Sequence, residues 1–266
     1  MQNQDDEWHG NVHIPINERI LSSSHSRALL GGKSVAVFGD SLGRRTTATW
    51  AHFLFDADEG ENNAELGLGG HGHFDWVAHA VALGRKRTSL GLTAMTFTWT
   101  LSVTESLVQC NIHLKAKKVF NIVTMSLGLH DSMPAGASRL SFFATHKKPR
   151  QMAETTKQLL QCLAKITKSV IVWRTAPYSD KNKKQSQALY EAERLRIDAM
   201  NALAIKTGGD VCPDKFRVAH AARALASRTL GKLRIAADTA NHFGHTGRFV
   251  VVQTIMNAIA CSMEER

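Results

Sequence analysis

The chain is poor in cysteine: Cys110, Cys162, Cys212 and Cys261 are its only four in 266 residues, and they are scattered with no C-x-x-C pair. Reduced thiols in an intracellular compartment, cytoplasmic or organellar matrix, are therefore expected. Met1 to Glu7 is acidic and lacks both an apolar signal core and the Arg-rich amphipathic pattern of a transit peptide, which argues against export. No uninterrupted apolar run is long enough to span a bilayer, so no transmembrane segment is expected. No Pro- or Ser-rich linker and no internal repeat divides the sequence. A single α/β domain over 33–266 is the expected organisation, preceded by a polar, turn-rich arm over 1–32. His71-Gly72-His73 and His242 with His245 are close histidine pairs, but neither joins a carboxylate or cysteine set. Neither a metal nor a cofactor is expected.

Acidic residues are outnumbered, and the formal net charge is +10. Basic residues gather at Arg85-Lys86-Arg87, Lys115 with Lys117-Lys118, His146-Lys147-Lys148 with Arg150, and Lys181 with Lys183-Lys184. Such clusters bind polyanions, so RNA or an acidic protein surface is an expected partner. A solvated basic surface explains any one cluster equally well. Zinc-finger spacing, an RNP-like motif and a series of stacking aromatics are all missing, which leaves a dedicated nucleic-acid binder without a motif.

What the chain does have is Val35-Ala36-Val37-Phe38-Gly39-Asp40-Ser41-Leu42-Gly43, an apolar run that empties into a small polar turn carrying a serine. Such a run reads as a buried parallel strand, and open α/β sheets bind ligands at the carboxyl ends of their strands. Apolar spacing predicts further strands near 92–98, 118–125 and 169–174, and helices at about 44–55, 151–167, 185–206 and 247–261. Their alternation predicts a three-layer α/β/α sandwich with a mainly parallel central sheet covered on both faces. A serine hydroxyl needs an imidazole to take its proton and N–H donors to receive the oxyanion. Asp238-Thr239-Ala240-Asn241-His242 offers a carboxylate and an imidazole together, so Asp238 can orient His242 toward Ser41. An N-capping aspartate beside an exposed loop histidine would leave the same pattern.

Gly39-Asp40-Ser41-Leu42, Gly128-Leu129-His130-Asp131 and the Asp238/His242 pair, in that order, resemble the blocks of the SGNH or GDSL-type hydrolases. Phe97-Thr98-Trp99, Trp173-Arg174-Thr175-Ala176-Pro177 and His242-Phe243-Gly244 narrow the resemblance to the PC-esterase branch, which includes carbohydrate O-acetyltransferases and esterases. The matched pieces run from about Lys33 to Cys261. The resemblance implies Ser41 as nucleophile, His242 as base and Asp238 as its orienting carboxylate. It implies an oxyanion hole from the Ser41 N–H, a glycine of the 67–72 loop, with Gly70 favoured over Gly67, Gly69 and Gly72, and His130. His130 stands where the family has asparagine, and one extra residue separates Asp238 from His242. An imidazole can still donate an N–H.

Trp99 and Trp173 can stack on a sugar, although tryptophans beside strands more often fill the core. Arg174, at a strand's carboxyl end, is expected either to clamp Asp40 or Asp131 or to bind a substrate oxygen, because an unpaired buried guanidinium is costly. The expected activity is that of a serine esterase or O-acyltransferase acting on an acyl ester of a carbohydrate or similar small hydroxylated molecule. The rival expectation is an SGNH-fold subunit of a large ribonucleoprotein or organellar complex with its chemistry weakened or lost.

Overall fold

The computed structural model describes residues 20–55, 74–75, 94–126, 149–176, 186–221 and 245–264. In chain order the elements are α1 (Ser23–Leu30), β1 (Ser34–Gly39), α2 (Ser41–Phe55), β2 (Phe74–Asp75), β3 (Ala94–Trp99), α3 (Val103–Lys115), β4 (Phe120–Ser126), α4 (Pro149–Ile166), β5 (Thr167–Arg174), α5 (Gln187–Val211), β6 (Phe216–Ala219) and α6 (His245–Glu264). The strands form one sheet in the order β2-β3-β1-β4-β5-β6. Five of them run parallel, and only β2 is antiparallel, against β3.

Strand side chains alternate between two buried layers, as the pleat requires. Val35 and Val37 of β1, with Met95, Phe97, Ile122, Val170 and Val172, face a core closed by Leu30 of α1, Trp50 and Leu54 of α2, and Val252 and Ile255 of α6. Ala36 and Phe38, with Val123, Met125, Ile171 and Trp173, face the opposite core, closed by Cys110 of α3, Leu159 and Leu163 of α4, and Met200 of α5. The sheet is thus covered on both faces, as expected. Leu21, just before α1, is tied to α6: its N–H donates to Gln253 Oε1 at 2.8 Å and its carbonyl accepts from Nε2 at 3.1 Å.

Several element boundaries differ from the expected ones for local reasons. α2 begins at Ser41 rather than near residue 44, because the Asp40 carboxylate accepts from the N–H groups of Leu42 (2.9 Å) and Gly43 (3.1 Å) and so caps the helix. α5 continues past Lys206 through two glycines to Val211. α3 was not expected, since Val108 and Ile112 lie exposed on it and blur the apolar stripe. Its start is nevertheless well capped: Ser102 Oγ accepts from Glu105 N, and Glu105 Oε2 accepts from Leu101 N at 2.7 Å. β6, with four residues and a mixed burial pattern, is too short to show a period.

The reduced thiols expected for Cys110 and Cys162 are instead a disulfide joining α3 to α4, with Cα atoms 6.2 Å apart. These residues are distant in sequence, and only the packing of the two helices brings them together. Cys212 and Cys261 carry no disulfide. Burial pushes the Cys212 thiol up to about 11 against the opposing pull of Lys215, which makes it inert at neutral pH. No helix among the described residues is long and apolar enough to cross a membrane.

Candidate active site

The parallel strands read β3-β1-β4-β5-β6, so the chain steps from β1 outward to β3 and then crosses back to β4 on the other side. That reversal makes β1 and β4 the switch point of the sheet, at whose carboxyl ends sheets of this order bind ligands. Registers across the carboxyl edge place Trp99, Gly39, Ser126, Arg174 and Ala219 in one row, on β3, β1, β4, β5 and β6. Ser41 follows Gly39 by two residues and opens α2 directly at the switch point. It is half-buried, and the positive end of the helix dipole lies behind it.

Asp40 makes this placement rigid. Its carboxylate takes the amides of residues 42 and 43, and its carbonyl accepts from Arg44 N at 2.8 Å. The cap thus engages the amides of Leu42 and Gly43, the two residues that follow Ser41. On the β3 side, Thr100 N donates to Gly39 O at 2.9 Å, which holds the end of β3 against the nucleophile turn.

Arg174 lies beneath the first turns of α2 with 2% of its surface exposed. Its Nη1 reaches Thr46 Oγ1 at 3.5 Å, and its Nε has no hydrogen-bond partner among the described residues. Burial lowers its pKa to about 10, while the Asp40 charge acts in the opposite direction. Of the partners expected for Arg174, Asp40 favours its charged form, and Asp131 lies outside the described residues. The segment after β5 is held by Asn201 of α5, whose Oδ1 accepts from Ala176 N at 2.9 Å and whose Nδ2 donates to Ala176 O at 3.1 Å. Sequence reasoning missed Asn201. A buried asparagine among Ile197, Met200 and Ala204 on the apolar face of α5 is the signal that could have found it.

Trp99 is half-buried, with the Arg44 guanidinium 5.4 Å above its ring centroid and Phe97 edge-on at 6.4 Å. Partial desolvation, then Arg45, lowers the Arg44 pKa. One face of the Trp99 ring is occupied by this cation, so a stacked sugar would use the other face or displace Arg44. Trp173 is fully buried in the core beside α4 and α5, in keeping with the core alternative. Gly70, His130, Asp238 and His242 lie outside the described residues. The structure therefore brings Ser41, Trp99 and Arg174 to one edge and describes nothing of the base or of the remaining oxyanion donors.

A mainly parallel sheet with helices on both faces and a serine at its switch point defines a layered α/β domain. An acetylxylan esterase from Geobacillus stearothermophilus, solved as a catalytic variant, is similar at TM-score 0.55 and 16% identity, over 86% of this chain and 94% of that one. An alpha/beta hydrolase enzyme from the metagenome of Lake Arreo, Spain, is similar at TM-score 0.53 and 18% identity, over 88% of this chain and 98% of that one. At these identities the likeness is one of fold. No family model and no curated protein sequence matches the chain.

Proposed function

We propose that the chain is a serine esterase or O-acyltransferase of SGNH type, nearest the PC-esterase branch, acting on an acyl ester of a carbohydrate or similar hydroxylated molecule. The observation that carries this reading is the position of Ser41: first residue of a capped helix, at the switch point of a sheet whose architecture is shared with an acetylxylan esterase. Ser41 Oγ attacks the acyl carbonyl while His242 takes its proton and Asp238 holds the imidazole. The Ser41 and Gly70 amides and the His130 side chain donate to the tetrahedral oxyanion. Collapse expels the alcohol, which receives the proton from His242, and the acyl group stays on Ser41 until water or an acceptor hydroxyl attacks it. Arg174 fixes the turn from below through its charge interaction with Asp40.

Hydrolysis of an activated aryl acetate tests the assignment. Ser41→Ala is expected to lower kcat by several orders of magnitude with little change in Tm, since the hydroxyl sits at a helix start rather than in the core. A wild type without ester hydrolysis, or a Ser41→Ala variant that keeps it, refutes the proposal.

A further inference from the structure

The edge of the sheet opposite Ser41 collects the starts of the parallel strands, and it carries a segregated charge. Lys33 precedes β1, Lys117 and Lys118 precede β4, and Lys168 is the second residue of β5; Lys115 and Lys165 lie in the last turns of α3 and α4 at the same end. The segments 31–34, 112–120 and 161–170 that supply these lysines contain no acidic residue. Lys115, Lys117, Lys118, Lys165 and Lys168 are exposed and Lys33 is half-exposed. None of the six makes a hydrogen bond or ion pair through its side chain among the described residues. Lys215, at the start of β6, differs: its Nζ is consumed by the carbonyls of Ala164 (3.1 Å) and Thr167 (2.7 Å), and Asp210 and Asp214 stand nearby in sequence.

Helix dipoles account for Lys115 and Lys165, which occupy last turns. They do not account for the lysines at the strand starts. Lys117 is the most telling of these. It has φ +53° at the position after the α3 C-cap, where Lys117 N donates to Leu114 O and Lys118 N to His113 O, both at 3.0 Å. That closing motif favours glycine at this left-handed position, and a lysine there costs stability that a glycine would not. The β1 and β4 starts are also pinned to each other, since Asn121 Oδ1 accepts from Ser34 N (2.9 Å) and Ser34 Oγ (3.0 Å), and Ser34 Oγ accepts from Asn121 N (3.1 Å). The row of charge is therefore held at a fixed spacing by the sheet itself.

We propose that this lysine row, Lys33, Lys117, Lys118 and Lys168 with Lys115 and Lys165 beside it, is a docking edge for the phosphodiester backbone of a single-stranded nucleic acid. The starts of adjacent strands lie along a line, which suits a linear polyanion better than a planar one. All the cations are lysines, which act as point charges on phosphate rather than as bidentate readers of bases, so contact is to the backbone alone. The edge lies across the sheet from Ser41, and the inference stands independently of the esterase reading.

The test is fluorescence anisotropy of a short labelled oligouridine titrated with the full chain over a range of salt. Oligothymidine serves as the second nucleic acid and phosphatidylserine vesicles as the membrane arm. Wild type is expected to bind both oligonucleotides comparably, with log K falling linearly with log salt. Lys33→Gln/Lys118→Gln/Lys168→Gln is expected to weaken binding on the order of tenfold or more and to flatten the salt slope by about 2, at ~0.7 per phosphate contact. Lys117→Gly is a second probe, since it relieves backbone strain and cannot act by unfolding the domain: it is expected to melt higher and bind more weakly. Absent or salt-insensitive binding by wild type, unchanged binding by either variant, or tighter binding to vesicles than to RNA at equal phosphate overturns the proposal. Any ester hydrolysis by wild type is expected to persist in both variants, so loss of either function is separable from loss of the other.

Discussion

Replacing Arg174 by methionine is expected to stabilise the fold while harming the site. Arg174 is 2% exposed, and burial lowers its pKa from the ordinary guanidinium value to about 10 even though Asp40 favours its charged form. A depression of that size corresponds to about 3 kcal/mol by which the folded state disfavours the guanidinium cation. For a base depressed on folding, the unfolded chain holds the proton more tightly. The penalty is thus fully present below the folded-state pKa of about 10 and is relieved only as pH climbs above it toward the ordinary guanidinium value. At neutral pH the charge is a net cost to folding. Arg174→Met keeps an unbranched, flexible side chain, shorter than arginine by the outer part of the guanidinium, and removes the charge, forfeiting a long 3.5 Å contact to Thr46 and the compensation of Asp40, whose two amide bonds remain. The expected net gain is about 1–3 kcal/mol, in line with replacing buried ionic groups by apolar ones, and each kcal/mol raises Tm by about 2–4 °C in a domain of this size. Under the proposed function a costly charge at the carboxyl edge serves the site, so kcat on an aryl acetate is expected to fall on the order of tenfold to hundredfold. Arg174→Lys, which keeps a charge, should retain more activity and gain less stability. The measurements are a thermal melt and ester kinetics on the same preparations. A lower Tm in Arg174→Met, or a higher Tm with unchanged kcat, refutes the reasoning.

Neighbouring glycines in α5 should respond with opposite signs. A Cβ at Gly208 would collide with the Phe216 ring, so Gly208→Ala is expected to destabilise by about 1–3 kcal/mol in denaturant melts despite the better helix propensity of alanine. A Cβ at Gly209 meets nothing within 4 Å, so Gly209→Ala is expected to stabilise by about 0.5–1 kcal/mol; equal effects at the two sites would refute the packing argument. The Cys110–Cys162 bridge closes a sequence separation of 52 residues, for which chain entropy gives about 4 kcal/mol. Reduction, or Cys110→Ala/Cys162→Ala, should therefore lower Tm by about 10 °C, and an unchanged melt under strong reductant would refute the bridge.

The strand, turn and serine at Val35 to Gly43 were legible in the sequence because every signal there is local, a run of β-formers emptying into a small, polar, glycine-flanked turn; the Asp40 cap and the helix start at Ser41 came with the structure. The layered α/β class was legible for the same reason, since alternating strand and helix periods admit few architectures. Asp40 and Arg174 were also readable as charges needing company, because desolvation is a property of a buried strand end. The elements that escaped were α1, inside the segment expected to be a polar arm, α3, whose exposed Val108 and Ile112 blur its stripe, and β2 and β6, too short for a period. Tertiary structure alone decided the pairings between distant segments. It bridged Cys110 to Cys162, set Asn201 against Ala176, and laid Arg44 on the ring of Trp99. It also gathered lysines from three separate segments onto one edge of the sheet. Sequence spacing carries no distance across a crossover connection. Which residues meet there follows from strand order and register, and those are settled only when the whole sheet closes between its helices.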